Sequence, residues 1–146
     1  MVEKTRNVLT SKEQVRLCKL FNCSINKLMT YYFLDGYFES EQIYFEYNGS
    51  GHDLSVQIGA ITEKEFKAKE TRRYHYLKTL GLKEFCVINT KKNKVPVNDE
   101  IMLKIKDFSF REIKKDTINW VIVDFDNGIL KTKFQEWTLE ELDFIK

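Results

Sequence analysis

The stretch TEKEFKAKETRRYHYLKTLGL, residues 62–82, constrains this chain more than any other. Thr62 and Glu65 stand in capping-box positions, each able to satisfy a main-chain N–H of the other at a helix start. Ile61 and Phe66 are spaced as the matching hydrophobic staple. Gly81 followed by Leu82 marks the stop, because glycine enters the left-handed region without a Cβ clash. A helix over 63–80 is therefore predicted, with strand-like sequence on either side. Before it, QIYFEY (42–47) and LSVQIGA (54–60) alternate apolar and polar residues and read as a hairpin joined by NGSGHD (48–53). After it, EFCVIN (84–89) is a nearly continuous apolar strand. EIMLKIKDF (100–108) reads as another strand, alternating Ile101, Leu103 and Ile105 with Lys104 and Lys106.

The flanks read as helical. Ser11 (or Thr10) can cap a first helix through Glu13 and Gln14, with Val15, Leu17, Cys18, Leu20 and Phe21 as its buried stripe. Asn22 can take the left-handed conformation that ends it, and Ser24 can cap a second helix running to Asp35-Gly36. Thr138 with Glu141, and Trp137 with Leu142, repeat the box and staple for a short C-terminal helix. Strands run consecutively rather than alternating with helices. The expected class is thus α+β, with a mostly antiparallel sheet of about five or six strands, the N-terminal helical pair and helix 63–80 on one of its faces. All 146 residues are expected to form one domain, residues 1–35 as the helical pair and 36–146 as the sheet with its central and C-terminal helices.

Composition narrows the function classes. With 11 Phe, 7 Tyr and 32% charged residues the chain can bury a core, and no apolar run is long enough for a membrane span. The first ten residues lack a signal-peptide stretch, so a cytoplasmic location is expected. Three cysteines, Cys18, Cys23 and Cys86, cannot all pair within the chain and sit in apolar segments. With His52 and His75 they form no zinc-ligand spacing, and neither a metal nor a cofactor is expected. The net charge of +2 is unevenly spread: four acids and no Lys or Arg over 36–61, then seven bases against three acids over 62–83.

One segment asks for chemistry. WVIVDFDNGIL (120–130) resembles the first motif of haloacid-dehalogenase-type phosphatases, an apolar strand ending in Asp-x-Asp. The resemblance covers about ten residues and implies a nucleophile at Asp124 and a general acid at Asp126, assisted by magnesium and a downstream lysine. The family's Gly-Thr after the second aspartate is here Asn127-Gly128, and twenty residues follow Asp126 where further strands would be needed. Asn-Gly instead favours a two-residue hairpin turn. Pairing outward from it sets Phe125 against Leu130, Val123 against Thr132 and Asp124 against Lys131. That register gives a mainly apolar face and a structural Asp124. Elsewhere, His52-Asp53 lacks a nucleophile, and Glu65-x-Lys67, the spacing of a nuclease pair, uses a glutamate already committed to the cap. No catalytic residue is assigned.

Two binding readings remain, with a small hydrolase or nuclease behind them. The first is a non-catalytic protein-binding module, such as a small regulator, inhibitor or toxin-neutralising (immunity-type) protein. It would use Lys64, Lys67, Arg72, His75 and Lys78 on one helical stripe, and Tyr37 from the aromatic run YYFLDGYF. The second is nucleic-acid binding. Residues 14–31 resemble a helix-turn-helix unit, which would offer Asn26, Lys27 and Thr30 to base edges, with the basic helix on phosphates.

Overall fold

The computed structural model describes residues 11–49, 59, 61–90 and 98–142. Helix α1 (Lys12–Phe21) begins as its sequence requires: the Ser11 side chain accepts from the Gln14 N–H at 3.0 Å. It ends at Asn22 with φ 55°, the left-handed stop. The second helix expected from Ser24 onward does not form. Ser24–Met29 (β1) and Tyr32–Phe38 (β2) make an antiparallel hairpin instead, turning at Thr30 with φ 56°. The apolar spacing that suggested a second helix lies in an aromatic-rich run whose rings pack better along a pleated surface. Gly36, costly inside a helix, is here a point of close approach: a Cβ would lie 2.9 Å from Cys23 Sγ and 3.1 Å from both Cys18 Sγ and a Phe45 ring carbon.

The β1–β2 ladder breaks where Asn26 (φ 53°) and Asp35 drop out of the register. Buried Gln14 mends the break. Its Nε2 donates to Asn26 Oδ1 at 3.2 Å and to the Asp35 carbonyl at 3.1 Å, tying α1 to both strands.

Strand β3 (Ile43–Gly49) pairs antiparallel with β2, and the second half of the expected 42–60 hairpin falls outside the described residues. Helix α2 (Glu63–Thr79) forms with both arms of its capping box and ends at Gly81, whose φ is 81°. Strand β4 (Lys83–Asn89) then returns parallel to β3. The largest departure lies beyond β4. Residues predicted as a strand form helix α3 (Asp99–Ile113), capped by Asn98, whose side chain accepts from the Ile101 N–H at 2.8 Å. Its buried residues Met102, Ile105, Ser109, Glu112 and Ile113 keep helical spacing to the end, whereas the two-residue alternation stops at Phe108.

Strand β5 (Trp120–Asp124) lies parallel to β4, then β6 (Ile129–Thr132) and β7 (Glu136–Thr138) close an antiparallel meander. The β5–β6 connection has four residues, not two. Asp124 accepts from the Asn127 N–H at 3.1 Å and from its Nδ2 at 2.8 Å, and of the Asn-Gly pair only Gly128 has positive φ. The register is two residues from that expected, with Val123 against Leu130 and Asp124 against Ile129. An even shift leaves every side chain on its predicted face. Asp124 is engaged in the turn rather than with Lys131. Asp126 accepts separately from the Thr90 N–H at 3.1 Å and from the Thr90 hydroxyl, so the two aspartates do different jobs. The Thr138–Glu141 box also forms, at 3.1 and 3.2 Å, but Trp137 and Thr138 belong to β7 and a turn follows.

The architecture is thus α+β. Among the described residues seven strands stand in sequential order in one mixed sheet, whose β3–β4 and β4–β5 pairs are parallel. The crossovers through α2 and α3 are what parallel neighbours demand, and they correct the mostly antiparallel expectation. The helices also divide differently. α1 and α3 cover one face around Phe45, Phe85, Val87, Val121 and Val123. α2 sits on the opposite face, where Leu77 meets Leu34, Tyr44 and Leu82. Among the described residues no helix is long and apolar enough to cross a membrane.

Candidate functional site

Among the described residues the buried apolar cluster under α2 gathers near Leu77, at one end of the helix. Toward the other end α2 and strands β3–β5 leave an open cleft of about 260 Å³, lined by Glu46, Glu70, Arg73, Tyr74, Glu84 and Trp120 among others. Strand alternation puts Glu46 and Glu84 on this face beside Cys86 and Ile122, opposite the core. Helical spacing aims Glu70, Arg73 and Tyr74 down at them.

Arg73 anchors the floor. Its guanidinium is bound to the Glu46 carboxylate, donates to the Phe33 carbonyl at 3.3 Å and lies 4.0 Å from Glu70. Burial disfavours the guanidinium's charge, but the charge and hydrogen bond of Glu46, with Glu70 and Tyr44, together outweigh it and hold the group above its ordinary value. Burial pushes the Glu46 carboxyl well above the usual carboxylate range. Nearby Asp35 adds to this and Arg73 opposes it. Glu84 accepts from the Tyr44 hydroxyl at 2.7 Å and is raised by burial, with that bond and Arg73 pulling the other way. Tyr74 donates to Asn119 Oδ1 at 2.8 Å; burial, then Glu84, pushes its phenol up to about 12. Three carboxylates thus face one guanidinium, between two aromatic side chains. Among the described residues no group of three or more His, Cys, Asp or Glu is placed to hold a metal ion.

The raised Glu84 has a measurable consequence. A carboxyl held above its unfolded value, near 4.5, keeps its proton longer in the folded chain. The unfolded chain then binds fewer protons over that window, and stability falls as pH rises through it. Urea midpoints of the wild type are expected to drop as pH rises above about 4.5, and Glu84→Gln, which keeps an acceptor for Tyr44, to reduce that slope, with raised Glu46 supplying the remainder. An identical slope in the variant would place Glu84 at its ordinary value.

The residues singled out from sequence are distributed around this cleft rather than in it. Lys64, Lys67, Arg72, His75 and Lys78 all lie exposed on the outer side of α2, Lys67 paired with Glu63 at 3.3 Å. Tyr37 is half-buried against the Leu34–Tyr44–Leu77 cluster. Asn26 is turned toward Gln14, Lys27 is exposed on β1, and Thr30 occupies the hairpin turn. No recognition helix carries these three. His52 and Asp53 lie outside the described residues.

Sequence reasoning missed the cleft because Glu46, Glu70, Glu84 and Trp120 come from four separate segments. A signal was present: Glu46 is a lone charge inside QIYFEY, and Arg73 falls on the inner side of α2. No family model matches the sequence, and neither a curated protein nor a solved structure matches it.

Proposed function

We propose that this chain is a non-catalytic docking module for a protein partner, a small regulator or inhibitor working in the cytoplasm. The cleft would receive a lysine or arginine side chain of that partner, and the outer side of α2 would meet its acids. The size and sign of the cleft carry this reading. At about 260 Å³ it falls below the roughly 300–1,000 Å³ of small-molecule pockets and suits one side chain. Its acidic lining with Tyr74 and Trp120 favours a cation over an anion. Basic and acidic surfaces lie side by side on α2, an arrangement complementary to a protein bearing both signs. A polyanion would be repelled by half of it. The exposed basic row is the one feature that favours nucleic acid.

The partner is to be identified by co-purification from the native host, and affinities then measured with purified components. Glu70→Lys, and separately Lys67→Glu with Arg72→Glu, should each weaken binding about tenfold, or about 1.4 kcal/mol. Duplex DNA should show no mobility shift. Unchanged partner affinity in both variants, together with steeply salt-dependent DNA binding, would reverse the assignment.

A further inference from the structure

The helix stop after α1 holds two thiols in contact. Cys18 and Cys23 occupy the two positions whose side chains meet across this kind of stop. The Cys23 N–H donates to the Cys18 carbonyl at 3.1 Å and the Asn22 N–H to that of Lys19 at 3.2 Å. Both sulfurs converge over Gly36, whose missing side chain makes the room: a Cβ there would lie 2.9 Å from one and 3.1 Å from the other. Cys18 is buried, whereas Cys23 is partly exposed.

We infer that Cys18 and Cys23 form a reversible dithiol–disulfide pair, oxidised by hydroperoxides, in which Cys23 is the attacking thiol and Cys18 the resolving one. A main-chain hydrogen bond between the same two residues keeps them within the span of a disulfide, whose Cα atoms lie about 4.4–6.8 Å apart. The division of labour follows from their surroundings. The Cys18 S–H has two acceptors in reach, the Asp35 carbonyl at 3.4 Å and the Cys23 sulfur. Donation to the latter holds the Cys23 thiol below its ordinary value. Main-chain N–H groups and the Lys106 ammonium help against the opposing effect of burial, while the Cys18 thiol is driven up. The less buried thiol, Cys23, is therefore the nucleophile, and the buried Cys18 keeps its proton.

The steps balance. The Cys23 thiolate attacks the terminal peroxide oxygen, breaking the O–O bond, and becomes a sulfenic acid as the leaving alkoxide takes a proton to give an alcohol. Cys18 then attacks the sulfenic sulfur and displaces water. Two thiols and one hydroperoxide yield one disulfide, one alcohol and one water; sulfur loses two electrons and the peroxide gains them. Cys86, buried on the far side of the sheet in the lining of the cleft beside Glu46 and Ile122, takes no part.

The chain itself supplies the assay, because Arg16, Lys19 and Lys27 put the two cysteines in separate tryptic peptides, 17–19 and 20–27. After the intact protein is treated with hydrogen peroxide, its mass should fall by two hydrogens. Non-reducing digestion should then join those two peptides, and dithiothreitol should separate them. In Cys18→Ser the Cys23 sulfenic acid should accumulate and be trapped by dimedone. In Cys23→Ser peroxide should leave Cys18 reduced. Alkylation of Cys23 in the untreated protein should run at least about tenfold faster than that of Cys86. Absence of the 17–19/20–27 link in the oxidised wild type would overturn the inference, as would a link through Cys86. So would dimedone trapping at Cys18 in Cys23→Ser at the wild-type rate. The first of these outcomes is read on the unmutated chain and does not depend on either variant folding.

Discussion

Arg73→Met is expected to cost about 3–5 kcal/mol, more than the loss of any other single charge around the cleft. The guanidinium is bound to a carboxylate that keeps only 7% of its side-chain surface, so its removal strands Glu46 without a counter-charge. It also removes the donor to the Phe33 carbonyl. Much of the loss is then a penalty for an uncompensated acid rather than the net worth of the ion pair. The double variant Glu46→Leu with Arg73→Met separates the two. If the penalty dominates, urea midpoints should recover to within about 1–2 kcal/mol of wild type, because an apolar pair of similar volume often matches a buried ion pair. Failure of the double variant to recover would instead show that the pair holds the sheet geometry around Asp35, whose N–H points to the same Glu46 oxygen at 3.5 Å.

Phe85→Ala should destabilise by a similar amount, about 3–5 kcal/mol, for a different reason. Phe85 is fully buried on the middle strand and packs on rings from three other elements. Phe21 of α1 lies at 5.8 Å between centroids, Phe45 of β3 at 5.6 Å and Phe110 of α3 at 5.8 Å. Deleting the ring removes one of the shared contacts between α1, α3 and the sheet, leaving Phe38 between Phe21 and Phe110 and the Arg16–Asp99 pair at 2.6 Å. Phe85→Leu, which retains most of the volume, should lose less than half as much, as measured by chemical denaturation. Equal losses would mean that the edge-on ring geometry matters more than the space filled.

How much of this was legible depended on whether a signal was local. The Ser11 and Thr62 caps, the Asn22 and Gly81 stops and the β4 run are fixed by neighbours within a few residues, and each formed where expected. The faces of the β5–β6 ribbon were legible for the same reason. Its connection was not, because Asp124 competes for Asn127 and draws Phe125 and Asp126 into the loop. The misread segments are those where two periodicities coexist. Ile101, Leu103 and Ile105 alternate as a strand would, yet the buried set through Met102, Ser109 and Ile113 is helical, and the Asn98 cap with Asp99 and Glu100 in the first turn decides it. Residues 24–35 went the other way, since no local rule shows that Tyr32–Phe38 will find β3. The exposed basic row of α2 could be read from helical spacing, whereas the cleft beneath it exists only once β3, β4 and β5 lie side by side.

The interrupted ladder at Asn26 has one more effect. Among the described residues β1 is the outer strand of the sheet, the position where a strand is open to pairing with another chain. A left-handed residue in mid-strand turns the strand's peptide groups out of line, and Lys27 follows it with an exposed positive charge. Another chain approaching that border finds no straight run of donors and acceptors to copy, and two molecules meeting there would also set lysine against lysine. The irregularity thus guards the border against fibril-like growth.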